Sequence, residues 1–152
     1  FGQAEGKQYT DFDVKTLKPW IDAKYRTLPG RGDTAIMGSS MGGLASHYAI
    51  AQYPQVFSKA GVFSPAYWTA APSFDFMAAH PLPKDARVYL LMGEKEGDSM
   101  VPDVERMAGV VRKSGHPADA TVLKIVPGAK HNEQFWSGEL REALLWMFKP
   151  GS

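Results

Sequence analysis

The sequence predicts an α/β fold in which a parallel sheet carries helices on both faces. Two observations predict it: strand-sized apolar stretches alternate with helical stretches from residue 34 onward, and the breaks between them are short. The chain has 152 residues, of which 44% are hydrophobic, enough for one domain with a buried core. We therefore expect a single domain over residues 1–152, with a helix and loop in 1–33 and the alternating part in 34–152.

The first 33 residues are predicted to contain one helix. Residues 1–9 are polar and aperiodic, which is typical of a loop, and Thr10 followed by Asp13 fits a helix start loosely. Apolar residues then recur every three or four positions through residue 25, which indicates one helical face. Pro19 falls inside this pattern and should kink the helix or cost it a hydrogen bond.

From residue 34 the pattern predicts four strands and three regular helices. The strands, rich in Val, Ile, Leu, Phe and Met, are expected near 34–38, 58–63, 87–92 and 120–126. The helices are expected near 42–53, 101–114 and 138–148, with a less regular segment at 64–83. Crossovers between parallel strands are right-handed by default.

Composition excludes several classes of function. A formal net charge of +1 gives no strong electrostatic case for binding nucleic acid. No apolar run approaches the roughly 18 residues of a membrane span, so we expect no membrane segment in this chain. The chain has no cysteine, which excludes a disulfide scaffold, a zinc-thiolate site and a thiol nucleophile. No histidine pair has the spacing of a helical metal site, and we expect neither a metal nor a cofactor.

A tight turn follows the first predicted strand. Residues 38–43 read G-S-S-M-G-G, a G-x-S-x-G pattern with a strand before it and a helix after it. Gly38 and Gly42 should keep strand and helix from colliding, so that the Ser40 hydroxyl projects at the carboxyl end of the sheet. Met41 N–H, at the helix start, could donate to a developing oxyanion. The pattern predicts Ser40 as a nucleophile; a purely structural turn is the alternative.

A serine nucleophile needs a base and an orienting acid, and in this fold the chain order is serine, acid, histidine. Among the four histidines, His131 follows the last predicted strand and precedes the final helix, which places it at the same sheet edge as Ser40. The acid should follow the strand that ends at residue 92. The loop there offers Glu94, Glu96 and Asp98, and the pattern alone leaves Glu96 and Asp98 nearly equal. The plainer interpretation of these acidic residues is a solvated loop.

Four motifs in order make the sequence recognisable. They are G-S-S-M-G-G at 38–43, F-S-P-A-Y-W at 63–68, G-E-K-E at 93–96, and His131 with Trp136 five residues later. Together they resemble the esterase D-like esterases of the α/β-hydrolase superfamily, which include enterochelin, feruloyl and acetyl-xylan esterases, S-formylglutathione hydrolase and the mycolyltransferases. The resemblance implies serine-ester hydrolysis. It also implies that the acid stands third after the strand-end glycine, which favours Glu96 over Asp98.

Aromatic residues accompany the expected site. Tyr67 and Trp68 follow the second predicted strand and could line an acyl or aromatic pocket near Ser40, and Trp136 could flank His131 in the same way. Aromatic side chains at such positions are as often plain core packing.

The resemblance covers only the second half of a hydrolase fold. In a complete hydrolase several strands precede the nucleophile turn, and a loop among them supplies the second oxyanion donor. The sequence opens on Phe1 without a signal-type segment, and before Thr34 it offers one helix and a loop. The predicted strand at 34–38 would be a bare sheet edge unless something covers it. We expect the missing N-terminal half of a longer enzyme there, or a homodimer mate.

These observations predict a serine esterase that acts on a small-molecule carboxylic ester through an acyl-enzyme, with residues 34–152 as its catalytic half. An acyltransferase or a peptidase of the same fold would use the same residues. A different class remains open as well: a truncated, non-catalytic α/β module that binds a partner through its exposed edge strand. The residues do not select among ester substrates, since fold does not imply substrate.

Overall fold

The computed structural model describes residues 3–149 and contains one sheet of four parallel strands. The strands are β1 (Ala35–Ser39), β2 (Lys59–Phe63), β3 (Arg87–Gly93) and β4 (Thr121–Val126), and their order in the sheet is the order in the chain. The parallel α/β fold is confirmed, and each predicted strand end lies within one residue of its observed position.

Within residues 3–149, six α-helices connect and flank the strands. They are α1 (Gln3–Phe12), α2 (Lys18–Lys24), α3 (Met41–Gln52), α4 (Pro72–Ala79), α5 (Met100–Lys113) and α6 (Glu133–Met147). Helix α4 lies inside the segment predicted to be less regular, and α6 begins five residues before the predicted start at 138. None of the helices within residues 3–149 is long and apolar enough to cross a membrane.

The prediction of a loop over residues 1–9 is wrong from Gln3 onward, and residues 1 and 2 lie outside the described part of the chain. Thr10 does not start a helix: it is buried within α1, and its hydroxyl donates to the carbonyl groups of residues 6 and 7. The expected irregularity near Pro19 takes the form of a π-helix over Asp13–Leu17, which ends two residues before the proline. A regular α-helix would press the proline ring against the carbonyl four residues earlier.

The core lies on both faces of the sheet because strand side chains alternate between faces. In β3, Val88, Leu90 and Met92 belong to the larger cluster, which also takes side chains from α3, α4 and α5. Tyr89 and Leu91 point the other way and pack with Ala143 and Met147 of α6. Both faces of the central strands are therefore covered, as a parallel sheet requires.

Strand β1 lies at one edge of the sheet. All five of its residues are partly exposed, and within residues 3–149 it pairs only with β2. An open groove of about 390 Å³ runs beside it, between β1 and the helical segment that carries Leu17 and Ile21. The predicted bare edge is therefore present in the described chain.

A buried histidine of α3 contacts a tyrosine from the turn after β2. His47 Nδ1 lies 2.7 Å from the Tyr67 hydroxyl, and His47 Nε2 has no hydrogen-bond partner among the described residues. Burial, aided by the nearby His116, lowers the pKa of His47 from its ordinary value near 6.5 to about 3. Burial raises the pKa of Tyr67 well above its usual range, so the phenol stays neutral.

We expect His47 to make the fold sensitive to acid. The unfolded chain takes up a proton at this residue below about pH 6.5, whereas the folded chain does not until about pH 3. Above about pH 6.5 the titration of His47 costs the fold no unfolding free energy. As the pH drops from there toward pH 3, the unfolding free energy falls by about 1.4 kcal/mol per pH unit. Between pH 7 and pH 5, His47→Gln should therefore lose about 2 kcal/mol less unfolding free energy than the unmodified chain.

Urea denaturation at the two pH values measures this difference. The exposed His80 is the matched control, and His80→Gln should follow the unmodified chain. Equal losses in the His47 variant and the unmodified chain would contradict the prediction.

Candidate active site

The turn between β1 and α3 holds Ser40 in a strained backbone conformation. Its φ of 57° and ψ of −118° lie outside the regions that non-glycine residues prefer. Hydrogen bonds maintain this conformation: Ser40 N–H donates to the Phe63 carbonyl at 2.9 Å, and the Ser40 carbonyl accepts from Ala66 N–H at 3.1 Å. The turn is thus fastened to the chain that leaves β2.

Two glycines make this turn sterically possible. A Cβ on Gly38 would lie 2.7 Å from backbone atoms of Gly42, and a Cβ on Gly43 would lie 2.5 Å from the Phe63 carbonyl oxygen. A Cβ on Gly42 would meet no atom within 4 Å. The prediction that the missing side chain of Gly42 keeps strand and helix from colliding is therefore wrong. Gly42 contributes the backbone that approaches Gly38, and Gly43 allows α3 to begin against β2.

The structure brings Ser40, His131 and Glu96 into one chain of hydrogen bonds. His131 Nε2 lies 2.9 Å from Ser40 Oγ, and His131 Nδ1 lies 2.8 Å from Glu96 Oε2. Because the carboxylate only accepts, Nδ1 carries the proton and Nε2 is free to accept from the serine hydroxyl. The Glu96 side chain is fully buried, whereas that of His131 is 31% exposed.

The second carboxylate oxygen of Glu96 is also occupied. Glu96 Oε1 accepts from Gly93 N–H at 2.7 Å and from the Ser64 hydroxyl at 2.7 Å. The Ser64 oxygen in turn accepts from the Trp136 indole N–H at 2.8 Å. Sequence reasoning assigned no role to Ser64, although its position directly after the second predicted strand places it at the same sheet edge.

Backbone hydrogen bonds join the loop that carries Glu96 to the loop that carries His131. Lys95 N–H donates to the Ala129 carbonyl at 2.9 Å, and the Glu94 carboxylate accepts from Gly128 N–H at 2.8 Å. Gly93 permits this approach, since a Cβ there would lie 2.7 Å from the Ala129 oxygen. The distance between Glu96 and His131 is therefore set by main-chain contacts as well as by the side chains.

Helix α6 begins directly after His131. The side chain of Asn132 caps this helix by accepting from Phe135 N–H at 3.0 Å. Trp136 follows within the first turn, and its ring lies edge-on to the imidazole of His131 with centroids 4.8 Å apart. The cap thus holds His131 and Trp136 in a defined relation to each other.

The remaining predicted residues divide into those at the site and those away from it. Trp68 is 50% exposed and edge-on to His131, with ring centroids 6.0 Å apart. Tyr67 is only 2% exposed and packs in the core, so it does not line an open pocket as expected. Asp98 is exposed, and the contact with His131 Nδ1 is made by Glu96. Met41 is the first residue of α3, where a backbone N–H has no acceptor within the helix.

No group of three or more histidine, cysteine, aspartate or glutamate side chains is placed to share a metal ion among the described residues. The hydrogen bonds at the sheet edge join side chains to one another, and Gly93 N–H adds a backbone donor to Glu96. This arrangement can move a proton between Ser40 and His131 while the buried carboxylate holds the imidazole.

The chain thus has a parallel α/β sheet with a serine at a sharp strand-to-helix turn. A histidine from the last loop is paired with that serine. The family model described as "Putative esterase" matches residues 2–147. The chain belongs to this family.

Similar proteins include an uncharacterized protein, YbbA, of Bacillus subtilis, 26% identical over 150 residues; the match spans 94% of this chain and 60% of YbbA. An enterobactin esterase from Shigella flexneri superposes with a TM-score of 0.82 at 18% identity, over 95% of this chain and 39% of the esterase. A ferulic acid esterase from Anaeromyces mucronatus gives 0.72 at 18% identity, over 94% of this chain and 56% of the esterase. The chain thus spans about 40–60% of the length of these relatives.

The contacts around the two glycines predict unequal tolerance of a methyl group. Gly38→Ala should lower the free energy of unfolding by about 1–3 kcal/mol or more, because the new Cβ meets backbone that cannot rotate away. Gly42→Ala is the matched control and should leave stability equal or slightly raised, since the position is open and helical. Thermal and urea unfolding measure both variants, and equal effects would contradict the steric account of the turn.

Proposed function

We propose that this chain carries the catalytic half of a serine esterase that hydrolyses carboxylic esters through an acyl-enzyme. The observation that carries the proposal is the continuous hydrogen-bonded chain from Ser40 through His131 to Glu96 at the carboxyl edge of the sheet. Membership of the esterase family supports ester hydrolysis in general.

In the first half of the reaction, the Ser40 hydroxyl attacks the ester carbonyl carbon. His131 Nε2 takes the hydroxyl proton as the new C–O bond forms, and it returns that proton to the leaving alcohol as the ester C–O bond breaks. Glu96, held through its other oxygen, keeps Nδ1 protonated and stabilises the imidazolium. The product of this half is an ester between Ser40 and the acyl group.

In the second half a water molecule takes the place of the alcohol. His131 accepts a proton from the water as its oxygen attacks the acyl carbon, and then returns the proton to Ser40 Oγ as the acid leaves. An alcohol in place of water would give acyl transfer through the same steps. We favour water because the family model describes esterases.

The negative charge that develops on the carbonyl oxygen needs hydrogen-bond donors. Met41 N–H is one such donor, since it follows the nucleophile at the first position of α3, where the helix dipole also favours negative charge. We expect the second donor outside this chain, on a segment that precedes the nucleophile turn in longer relatives. Losing one such donor typically costs about 10²–10³ in rate.

The substrate we propose is a small-molecule ester with an apolar or aromatic acyl group. Trp68 and Trp136 each lie edge-on to the imidazole of His131, and half of the Trp68 surface is open to solvent. Aromatic surfaces beside a reacting carbonyl favour flat or apolar groups. The structural neighbours include proteins described as ferulic acid and enterobactin esterases, which is consistent with this proposal.

Replacing the proposed nucleophile and acid should remove ester turnover. Ser40→Ala should lower kcat for p-nitrophenyl acetate by about 10³ or more, and Glu96→Ala by about 10²–10⁴. A fluorophosphonate probe should label the unmodified chain at Ser40 and leave Ser40→Ala unlabelled.

The matched control is Asp98→Ala, which removes the other candidate acid from the same loop and should leave kcat unchanged within about twofold. Unchanged turnover in Ser40→Ala would rule out the nucleophile assignment. A chain that is neither labelled nor active would favour the non-catalytic binding module.

We also propose that the edge of β1 pairs with the remainder of a longer polypeptide. The support is the partial exposure of β1, the open groove beside it, and the 40–60% of relatives' length that the chain spans. Exposed apolar side chains continue along this end of the molecule, including those of Phe12, Leu17 and Trp20. Unpaired strand edges flanked by apolar surface attract other strands.

The purified chain alone should therefore self-associate, and a charge beside β1 should reduce this association. Leu17→Glu places a carboxylate in the groove, whereas Leu145→Glu places one on the outer side of α6 as a control. Light scattering after size exclusion should show less association for the first variant only. A discrete dimer that Leu17→Glu dissociates would favour a homodimer mate, and a monomeric unmodified chain would contradict the proposal.

A further inference from the structure

A second chain of hydrogen bonds approaches Glu96 from the side opposite His131. The Trp136 indole N–H donates to Ser64 Oγ at 2.8 Å, and the Ser64 hydroxyl donates to Glu96 Oε1 at 2.7 Å. Ser64 is fully buried, and so is the Glu96 side chain. The mechanism proposed above uses neither Ser64 nor the Trp136 N–H.

The donors in this chain determine its direction. A serine hydroxyl has one proton, and an indole nitrogen can only donate. Because Trp136 N–H points at Ser64 Oγ, the oxygen uses a lone pair there and its own proton is left for Glu96. Trp136 thus orients the Ser64 hydroxyl, and Ser64 in turn satisfies the carboxylate oxygen that does not face His131.

The backbone of Ser64 is strained at the position from which its hydroxyl contacts Glu96. Its φ is 41°, in the left-handed region that glycine tolerates and that costs other residues of order 1 kcal/mol. Its N–H is fixed to the Leu91 carbonyl at 2.8 Å. A glycine would relieve this strain but would provide no hydroxyl, so the strain points to a role for the side chain.

We propose that Ser64 and Trp136 are positioning residues that hold the Glu96 carboxylate in the rotamer that meets His131 Nδ1. The proposal rests on the proposed function, because it assigns what orients the acid of that triad. Without the Ser64 donor, one carboxylate oxygen keeps only Gly93 N–H, and the side chain can turn away from the imidazole. The loss then appears in the chemical step and leaves substrate binding unchanged.

A double-mutant cycle on ester turnover tests the order of the chain. Ser64→Ala should lower kcat about tenfold with little change in KM, as expected for loss of a hydrogen bond to a charged group. Trp136→Phe keeps a ring beside His131 but removes the N–H, and should lower kcat by about threefold to tenfold. In the Ser64→Ala background, Trp136→Phe should change kcat by less than about twofold. Equal effects of Trp136→Phe in both backgrounds would overturn the proposal that Trp136 acts on Glu96 through Ser64.

Ser64→Gly separates positioning from folding. Glycine relieves the positive φ, so this variant should be at least as stable as Ser64→Ala while losing kcat to the same degree. The matched controls are Ser73→Ala, at another fully buried serine, and Trp146→Phe, at another tryptophan of α6. Neither control should change kcat, and recovery of kcat in Ser64→Gly would mean that Ser64 acts only through backbone strain.

A spectroscopic measurement keeps this inference separate from the proposed function. The far-downfield proton resonance of His131 Nδ1–H reports the hydrogen bond with Glu96 whether or not an ester is turned over. It should be present in the unmodified chain and in Ser73→Ala, and it should be shifted or lost in Ser64→Ala and Ser64→Gly. Its absence from the unmodified chain, or its persistence unchanged in both Ser64 variants, would overturn the positioning role. If the unmodified chain shows the resonance, the Ser64 variants lose it, and no ester is turned over, then the positioning role is upheld and the esterase proposal is refuted.

Discussion

The contact between the Ser40 turn and the end of β2 determines where the other parts of the site lie. The turn forms only because Gly38 and Gly43 place bare backbone against neighbouring backbone. Once Ser40 N–H is bonded to the Phe63 carbonyl, Ser40 and the segment after β2 cannot move independently. That segment carries Ser64, which reaches Glu96 at the end of β3. The close backbone contacts at Gly38 and Gly43 therefore also help to fix the position of Glu96, through hydrogen bonds that link the ends of β1, β2 and β3.

A buried carboxylate is costly unless its oxygens are fully hydrogen-bonded. Glu96 meets this requirement with donors from three separate parts of the chain: Gly93 N–H, the Ser64 hydroxyl and His131 Nδ1–H. Both carboxylate oxygens are therefore hydrogen-bonded within the described chain. The same contacts that offset the desolvation of Glu96 therefore orient the imidazole, and stability and chemistry depend on the same few atoms.

The two edges of the sheet differ in how they are used. The carboxyl edge collects Ser40, Ser64, Glu96 and His131 from four successive strand ends, so all the groups of the proposed proton transfer lie on this chain. The lateral edge at β1 remains partly exposed, with the groove and apolar side chains of the first helices beside it. The proposed proton transfer needs only the first set of contacts, whereas we place the proposed second oxyanion donor on a segment beyond β1.

The sequence alone predicted the strands, the tight turn at Ser40 and the placement of His131 at the same sheet edge, because each depends on local spacing: apolar runs, glycines around a serine, and a histidine after the last strand. It did not predict α1, whose polar segment has no strong apolar period, and the capping signal assigned to Thr10 proved to be an internal helical contact. The pattern left Glu96 and Asp98 nearly equal, and only the resemblance separated them. Tertiary structure decided which of the two contacts His131, that Tyr67 is buried against His47, and that Ser64 lies between Trp136 and the acid. The physical reason is that these contacts join side chains from different loops, and their geometry depends on how the strand ends align.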